Sequence, residues 1–106
     1  MRHNFKIYVP STIDVNNEID NSEKVTETLQ FLSSLFGGAT ATDASGAWMS
    51  ETSGLVTEKV TICYAFTNFR NFWKHRKTVK QYAAKLRDEM KQEAISLEID
   101  GNLYFV

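Results

Sequence analysis

Residues 56–66 alternate with a period of two: Val56, Val60, Ile62, Tyr64 and Phe66 fall on one side, Thr57, Lys59, Thr61, Cys63 and Ala65 on the other. Successive side chains of a β-strand point to opposite faces, so this period marks a strand and little else. The larger apolar set is expected in the core, with Glu58 its one exception. The smaller and more polar set is expected on an uncovered face.

The other elements follow from similar signals. Phe5, Ile7 and Val9 alternate with Lys6 and Tyr8 until Pro10 removes a donor and ends the run. Residues 11–21 read as a loop. Asp20, Asn21 and Ser22 offer N-caps, Glu23 stands three residues after Asp20 as in a capping box, and Val25, Leu29, Leu32 and Phe36 recur at helical spacing up to Gly37 and Gly38. Ala39 to Ser50 reads as a weak strand carrying Trp48, and Ser50 to Gly54 as a hairpin turn. A second helix is predicted from Phe69 to Glu93, with Phe72, Val79, Ala83, Leu86 and Met90 on one stripe. Ile95, Leu97 and Ile99 alternate in a final strand, followed by a turn at Gly101 and Asn102 and an apolar end, Leu103 to Val106.

Strand, helix, strand, strand, helix, strand is the order of an α+β, ferredoxin-like βαββαβ unit, a four-stranded antiparallel sheet with two helices on one face. Without an internal repeat or linker, residues 1–106 read as a single domain. Its expected core holds Phe5, Ile7, Val25, Leu29, Leu32, Val60, Ile62, Leu86 and Leu97. A chain of 106 residues can bury about two-thirds of its unfolded surface, enough for a core without staples. The lone Cys63 excludes an intramolecular disulfide, and no apolar run approaches the roughly 20 residues that span a bilayer. With no signal-peptide pattern at the N-terminus, a cytoplasmic protein is expected.

A net charge of −1 conceals two unlike halves. Residues 1–60 carry four Lys/Arg against eight Asp/Glu, and the remainder eight against five. The second helix also runs against its own dipole: Arg70, Lys74, His75, Arg76, Lys77 and Lys80 open it, and Asp88, Glu89 and Glu93 close it. Each misplaced terminal charge costs about 0.3–1 kcal/mol, so the cationic end is expected to meet something outside the chain. Phe69, Trp73, Arg76, Lys80, Arg87 and Lys91 fall within an arc of roughly 60°, a cationic ridge with aromatics at one end and the expected partner-binding surface. A protein partner is favoured over direct nucleic-acid contact, because the uncovered sheet face offers Tyr8 alone for stacking bases. The acidic group Glu18, Asp20, Glu23 and Glu27 suits a helix N-terminus or a phosphate-row mimic.

Catalytic chemistry has little to stand on. His3 and His75 are too few for a metal cluster, Cys63 has no neighbour that would activate it, and no glycine loop follows a strand to cradle phosphate. The loop Pro10-Ser11-Thr12-Ile13-Asp14 lacks the arginine of acylphosphatase-like enzymes. Trp48, His75 and Asn68 or Asn71 match the residue types of cofactor-free monooxygenases by composition alone. No enzyme activity, catalytic residue, metal or cofactor is expected.

The runs Lys6-Ile7-Tyr8-Val9-Pro10, Gly46-Ala47-Trp48 and Gly54-Leu55-Val56, leading through Glu58 to Val60 and Ile62, resemble small bacterial proteins of ferredoxin-like type that accompany plasmids and phages. That resemblance implies a non-catalytic, mobile-element inhibitor of anti-CRISPR type that blocks a nucleic-acid-processing protein or its assembly with nucleic acid. The alternative is a homodimer joined through uncovered sheet faces, either structural or a small cofactor-free enzyme with a cavity between sheet and partner.

Overall fold

The computed structural model describes residues 1–13 and 17–106; Asp14, part of the expected loop, lies with residues 15 and 16 outside the described residues. The chain runs β1 (His3–Pro10), β2 (Thr12–Ile13), β3 (Asn17–Glu18), α1 (Ser22–Phe36), β4 (Thr40–Ser50), β5 (Gly54–Thr67), α2 (Phe69–Glu89), β6 (Ser96–Ile99) and β7 (Asn102–Phe105). This is an α+β fold of two helices, a five-stranded antiparallel sheet in the order β4-β5-β1-β6-β7, and a separate β2-β3 hairpin. Central β1 places Phe5 opposite Ala65 on one side and Ile99 on the other. Both helices cover one face, since the Phe5 ring stacks on Phe36 of α1 at 5.3 Å and on Phe72 of α2 at 5.0 Å.

The expected four-stranded sheet is corrected to five strands. Asp100 and Gly101 take φ of 50° and 83°, the left-handed pair of a two-residue hairpin loop whose geometry matches strand twist. The apolar end therefore returns as β7, with Tyr104 opposite Leu97. The loop over 11–21 likewise contains a short ladder, Thr12 opposite Glu18. The second helix stops at Glu89 instead of Glu93, because Lys91 turns left-handed at φ 53° and the Gln92 N–H donates back to the Arg87 carbonyl at 2.9 Å. A lysine in that conformation costs about 1–2 kcal/mol and leaves no glycine to reveal the stop.

The phase of β5 is the larger correction. Thr61, Cys63, Ala65 and Thr67 are buried beneath the helices, whereas Val60, Ile62 and Tyr64 are half-buried on the open face and Phe66 is 49% exposed there. Small side chains on β5 let α1 pack close, while Phe5, Ile7 and Val9 of β1 supply the bulk between the layers. Phe5, Ile7, Leu32, Leu86 and Leu97 are core residues as expected, and Val25 and Leu29 pack at its margin. Val60 and Ile62 are not in it.

The β1 ladder reaches β5 only as far as Val60, opposite Pro10. Beyond it, residues 45–50 and 54–59 pair solely with each other and form a two-stranded arm bearing exposed Trp48, Met49 and Leu55. Truncating Leu86 to Ala should cost about 2–5 kcal/mol by urea denaturation, and Ile62→Ala on the open face less than half of that. Equal losses would contradict this assignment of faces.

Candidate functional site

The ridge expected along α2 is built in part. Phe69 and Trp73 are 69% and 55% exposed, and the Arg76 guanidinium lies 5.3 Å from the Trp73 ring centre and 6.0 Å from that of Tyr104. The Lys80 ammonium sits 5.3 Å from Tyr104 as well. No local signal in the sequence points to Tyr104, because only the β7 hairpin brings it here. Arg87 turns instead to Asp88 at 2.9 Å, and Lys91 has left the helix, so neither joins the patch.

Of the acidic group expected around α1, Glu27 and Asp20 have structural partners. Glu27 and Glu89 meet Lys24 and Lys85 in a four-membered ion cluster joining α1 to α2, with Lys24 2.9 Å from Glu89. The hydrogen bond from Lys24 lowers the Glu89 pKa, and the same bond raises that of Lys24. Asp20 accepts from the Ser22 N–H at 2.9 Å and has its pKa lowered by that bond.

On the helix side, the Asn21 amide donates to the Val9 and Pro10 carbonyls and to the Thr61 hydroxyl at 3.2–3.4 Å, and Thr61 donates to Asp43 at 3.0 Å. Two hollows of about 380 and 400 Å³ flank this chain and share its three residues. Its polar atoms largely satisfy one another, and no aromatic side chain among the described residues lines either hollow. The junction ties the start of α1 to three strands.

The open sheet face has a different character. Tyr8 stands opposite Ile62, and Lys6 lies opposite both Tyr64 and Glu98. The Tyr8 hydroxyl donates to Glu98 Oε1 at 3.3 Å, and the Lys6 ammonium holds Oε2 at 3.3 Å. Desolvation, and then the Glu98 charge, raise the Tyr8 pKa, so the phenol remains a protonated donor at neutral pH. At the base of the arm, Glu58 joins Tyr8, Val60 and Ser96 around a hollow of about 100 Å³. An apolar strip of Val60, Ile62 and Tyr64 thus runs beside two carboxylates, an amine and a phenol. The sequence conceals this surface because its apolar strip has the pattern of core.

The other candidates stay apart. His3 Nδ1 lies 2.6 Å from Asp100 and its ring stacks on Phe72, His75 meets the edge of Phe36, and no metal-binding cluster occurs among the described residues. Trp48 pairs with Val56 on the arm while Asn68 caps α2, roughly 35–40 Å away at the rise of a strand, so the monooxygenase set does not converge. No helix among the described residues is long and apolar enough to cross a membrane.

No protein-family model matches the chain. No curated protein matches it in sequence. Solved structures do match: a phage SAM lyase in complex with S-methyl-5′-thioadenosine superposes with a TM-score of 0.68 over 98% of this chain and 88% of that one, at 19% identity. A phage SAM lyase in the apo state gives 0.64 over 98% and 87%, at 18% identity. The fold is therefore shared with an enzyme across almost the whole chain. This corrects the expectation of a non-catalytic, anti-CRISPR-type inhibitor, and with it the expectation that no enzyme is present.

Cys63 takes no part in any of these surfaces. It is fully buried, and burial pushes its thiol up from 9.0 to about 11. The native state then keeps its proton to higher pH than the unfolded chain, so this group lowers stability as pH climbs from 9 towards 11. Thiol labelling at pH 8 should accordingly proceed only on unfolding. Rapid labelling of the native protein would show the thiol to be accessible.

Proposed function

We propose that this protein is a lyase that cleaves S-adenosylmethionine. The observation that carries the proposal is the match, over 98% of the chain, to a phage SAM lyase holding S-methyl-5′-thioadenosine. That thioether keeps both the methyl and the adenosyl group on sulfur. Relative to S-adenosylmethionine, the bond lost is the one between sulfur and the aminobutyryl arm; its electron pair stays on sulfur, and the arm's γ-carbon bonds to an oxygen of the arm's own carboxylate, closing a lactone without an outside nucleophile.

This chemistry favours the open sheet face. The sulfonium carries its own neutral leaving group, so the protein's part is to orient the arm and to remove water. A step that extinguishes positive charge gains from weakly polar surroundings, which Val60, Ile62 and Tyr64 supply. Glu58 and Glu98 suit the ribose hydroxyls and the substrate's ammonium, Lys6 suits its carboxylate, and Tyr8 is a fixed donor between them. Of the sequence-based alternative, a homodimer joined through its uncovered sheet faces that is structural or a small cofactor-free enzyme, the cofactor-free enzyme is the part carried forward, with the βαββαβ unit as its scaffold and β7 as an addition. Consumption of an intracellular metabolite places the activity in the cytoplasm.

The purified protein should convert S-adenosylmethionine to S-methyl-5′-thioadenosine, followed by liquid chromatography and mass spectrometry. Tyr8→Phe should lower kcat/KM about tenfold or more without shifting the melting temperature by more than a few degrees, whereas Asp43→Asn should leave it within about twofold. Thioether release no faster than in buffer would refute the activity. A full rate in Tyr8→Phe together with a loss in Asp43→Asn would move the site to the helix side.

A further inference from the structure

We propose that the outer face of α2 binds the phosphate backbone of a nucleic acid. At 100° per residue, Arg70, Lys74, Lys77 and Gln81 share an arc of about 60°. This arc lies opposite the buried Phe72, Val79 and Ala83, on the side of the helical layer away from the sheet, and all four of its residues are exposed. Neither edge strand of the sheet takes part in it.

The charges of this face are left to an outside anion. Arg70, Lys74 and Lys77, and Arg76 and Lys80 on the adjoining flank, have no ion-pair partner among the described residues, whereas Lys24 and Lys85 are both engaged between the helices. Arg70 and Lys74 stand at i,i+4 and Lys74 and Lys77 at i,i+3, like-charge spacings that destabilise a helix. The first turn of α2 holds Arg70 and no acidic residue, so the positive end of the helix dipole adds to the field.

The make-up of the face selects the anion. Protein interfaces draw most of their energy from desolvated aromatic and aliphatic anchors, and this arc presents three cations and an amide with no apolar side chain among them. Backbone recognition requires the cations alone. The three charges spread over about 10.5 Å of helix axis, a length in which one strand of a DNA duplex passes about three phosphates. Base stacking, for which the sheet offers only Tyr8, has no part in such contact, which is made without regard to sequence. A second copy offers no comparable row of carboxylates among the described residues: in its acidic group Asp20 already accepts from Ser22 and Glu27 is held by Lys24 and Lys85, which leaves Glu18 and Glu23 to meet five cations.

The test follows the fluorescence anisotropy of a labelled twenty-base-pair DNA duplex. It compares the native protein with Arg70→Gln/Lys74→Gln/Lys77→Gln and with Arg2→Gln/Lys59→Gln/Lys91→Gln, which removes the same net charge elsewhere. At about 50 mM salt the native protein should bind, and the logarithm of its affinity should fall against that of salt with a slope of about −2 or steeper. The outer-face variant should bind at least tenfold more weakly at an unchanged or raised melting temperature, and the control variant within about twofold of the native protein. Lys77→Gln alone should make the salt slope shallower by about 1. Absence of duplex binding, equal weakening in the two triple variants, an unchanged slope in Lys77→Gln, binding of a forty-residue polyglutamate as tight as that of the duplex, or self-association abolished by the outer-face substitutions would each overturn the proposal. None of these readouts depends on lyase activity.

Discussion

The close seat of α1 on β5 depends on side chains no larger than cysteine or threonine. Cys63, Ala65, Thr61 and Thr67 leave room for the helix to approach, and the buried bulk comes from β1 and the helices, where Phe5 lies stacked between Phe36 and Phe72. Reversing that phase would drive Ile62, Tyr64 and Phe66 into a space already filled, and overpacking by even a few methylenes costs about 1–3 kcal/mol. The larger residues are consequently displaced to the open face. A half-apolar surface edged with charge is thus a consequence of how the core closes.

Electrostatics divides the helical layer in the same manner. Where α1 and α2 lie side by side, Lys24, Lys85, Glu27 and Glu89 neutralise one another across the seam, and the buried hydroxyls of Thr28 and Tyr82, 2.9 Å apart, satisfy each other beneath it. Towards its N-terminus, α2 runs clear of α1's acidic residues, and its cations there form no ion pair among the described residues. Arg76 is held there by aromatic rings instead of carboxylates. The inverted charge order is therefore two local arrangements, one tying the helices together and one facing outward.

Much of the fold was legible because its signals are local. The first helix ends at Gly37 with φ 87° and the second begins under Asn68, whose side chain accepts from the Asn71 N–H, as their residue types imply. What escaped was set by tertiary geometry. Alternation in residues 56–66 reveals a strand but is silent on which face meets a helix, and volume rather than hydropathy made that choice. Lys91 stops α2 without a glycine, and Asp100-Gly101 is a hairpin signal whose second strand is only four residues long. The ridge residues Phe69, Trp73, Arg76 and Lys80 could be named from helical spacing, while Tyr104 needed the hairpin and the Tyr8–Glu98–Lys6 group needed the pairing of strands 90 residues apart.

These separations also explain how one small fold can present two unlike surfaces. The open face gathers its polar groups around Tyr8 on the central strand, where pairing on both edges fixes backbone position. Positioning to a fraction of an ångström is what bond cleavage demands of a site. The β7 edge, by contrast, is paired on one side only among the described residues. In the lyase proposed above, chemistry that needs rigidity therefore falls at the centre of the sheet, where β6, paired with β1 on one side and β7 on the other, supplies Glu98 from a strand held at both edges.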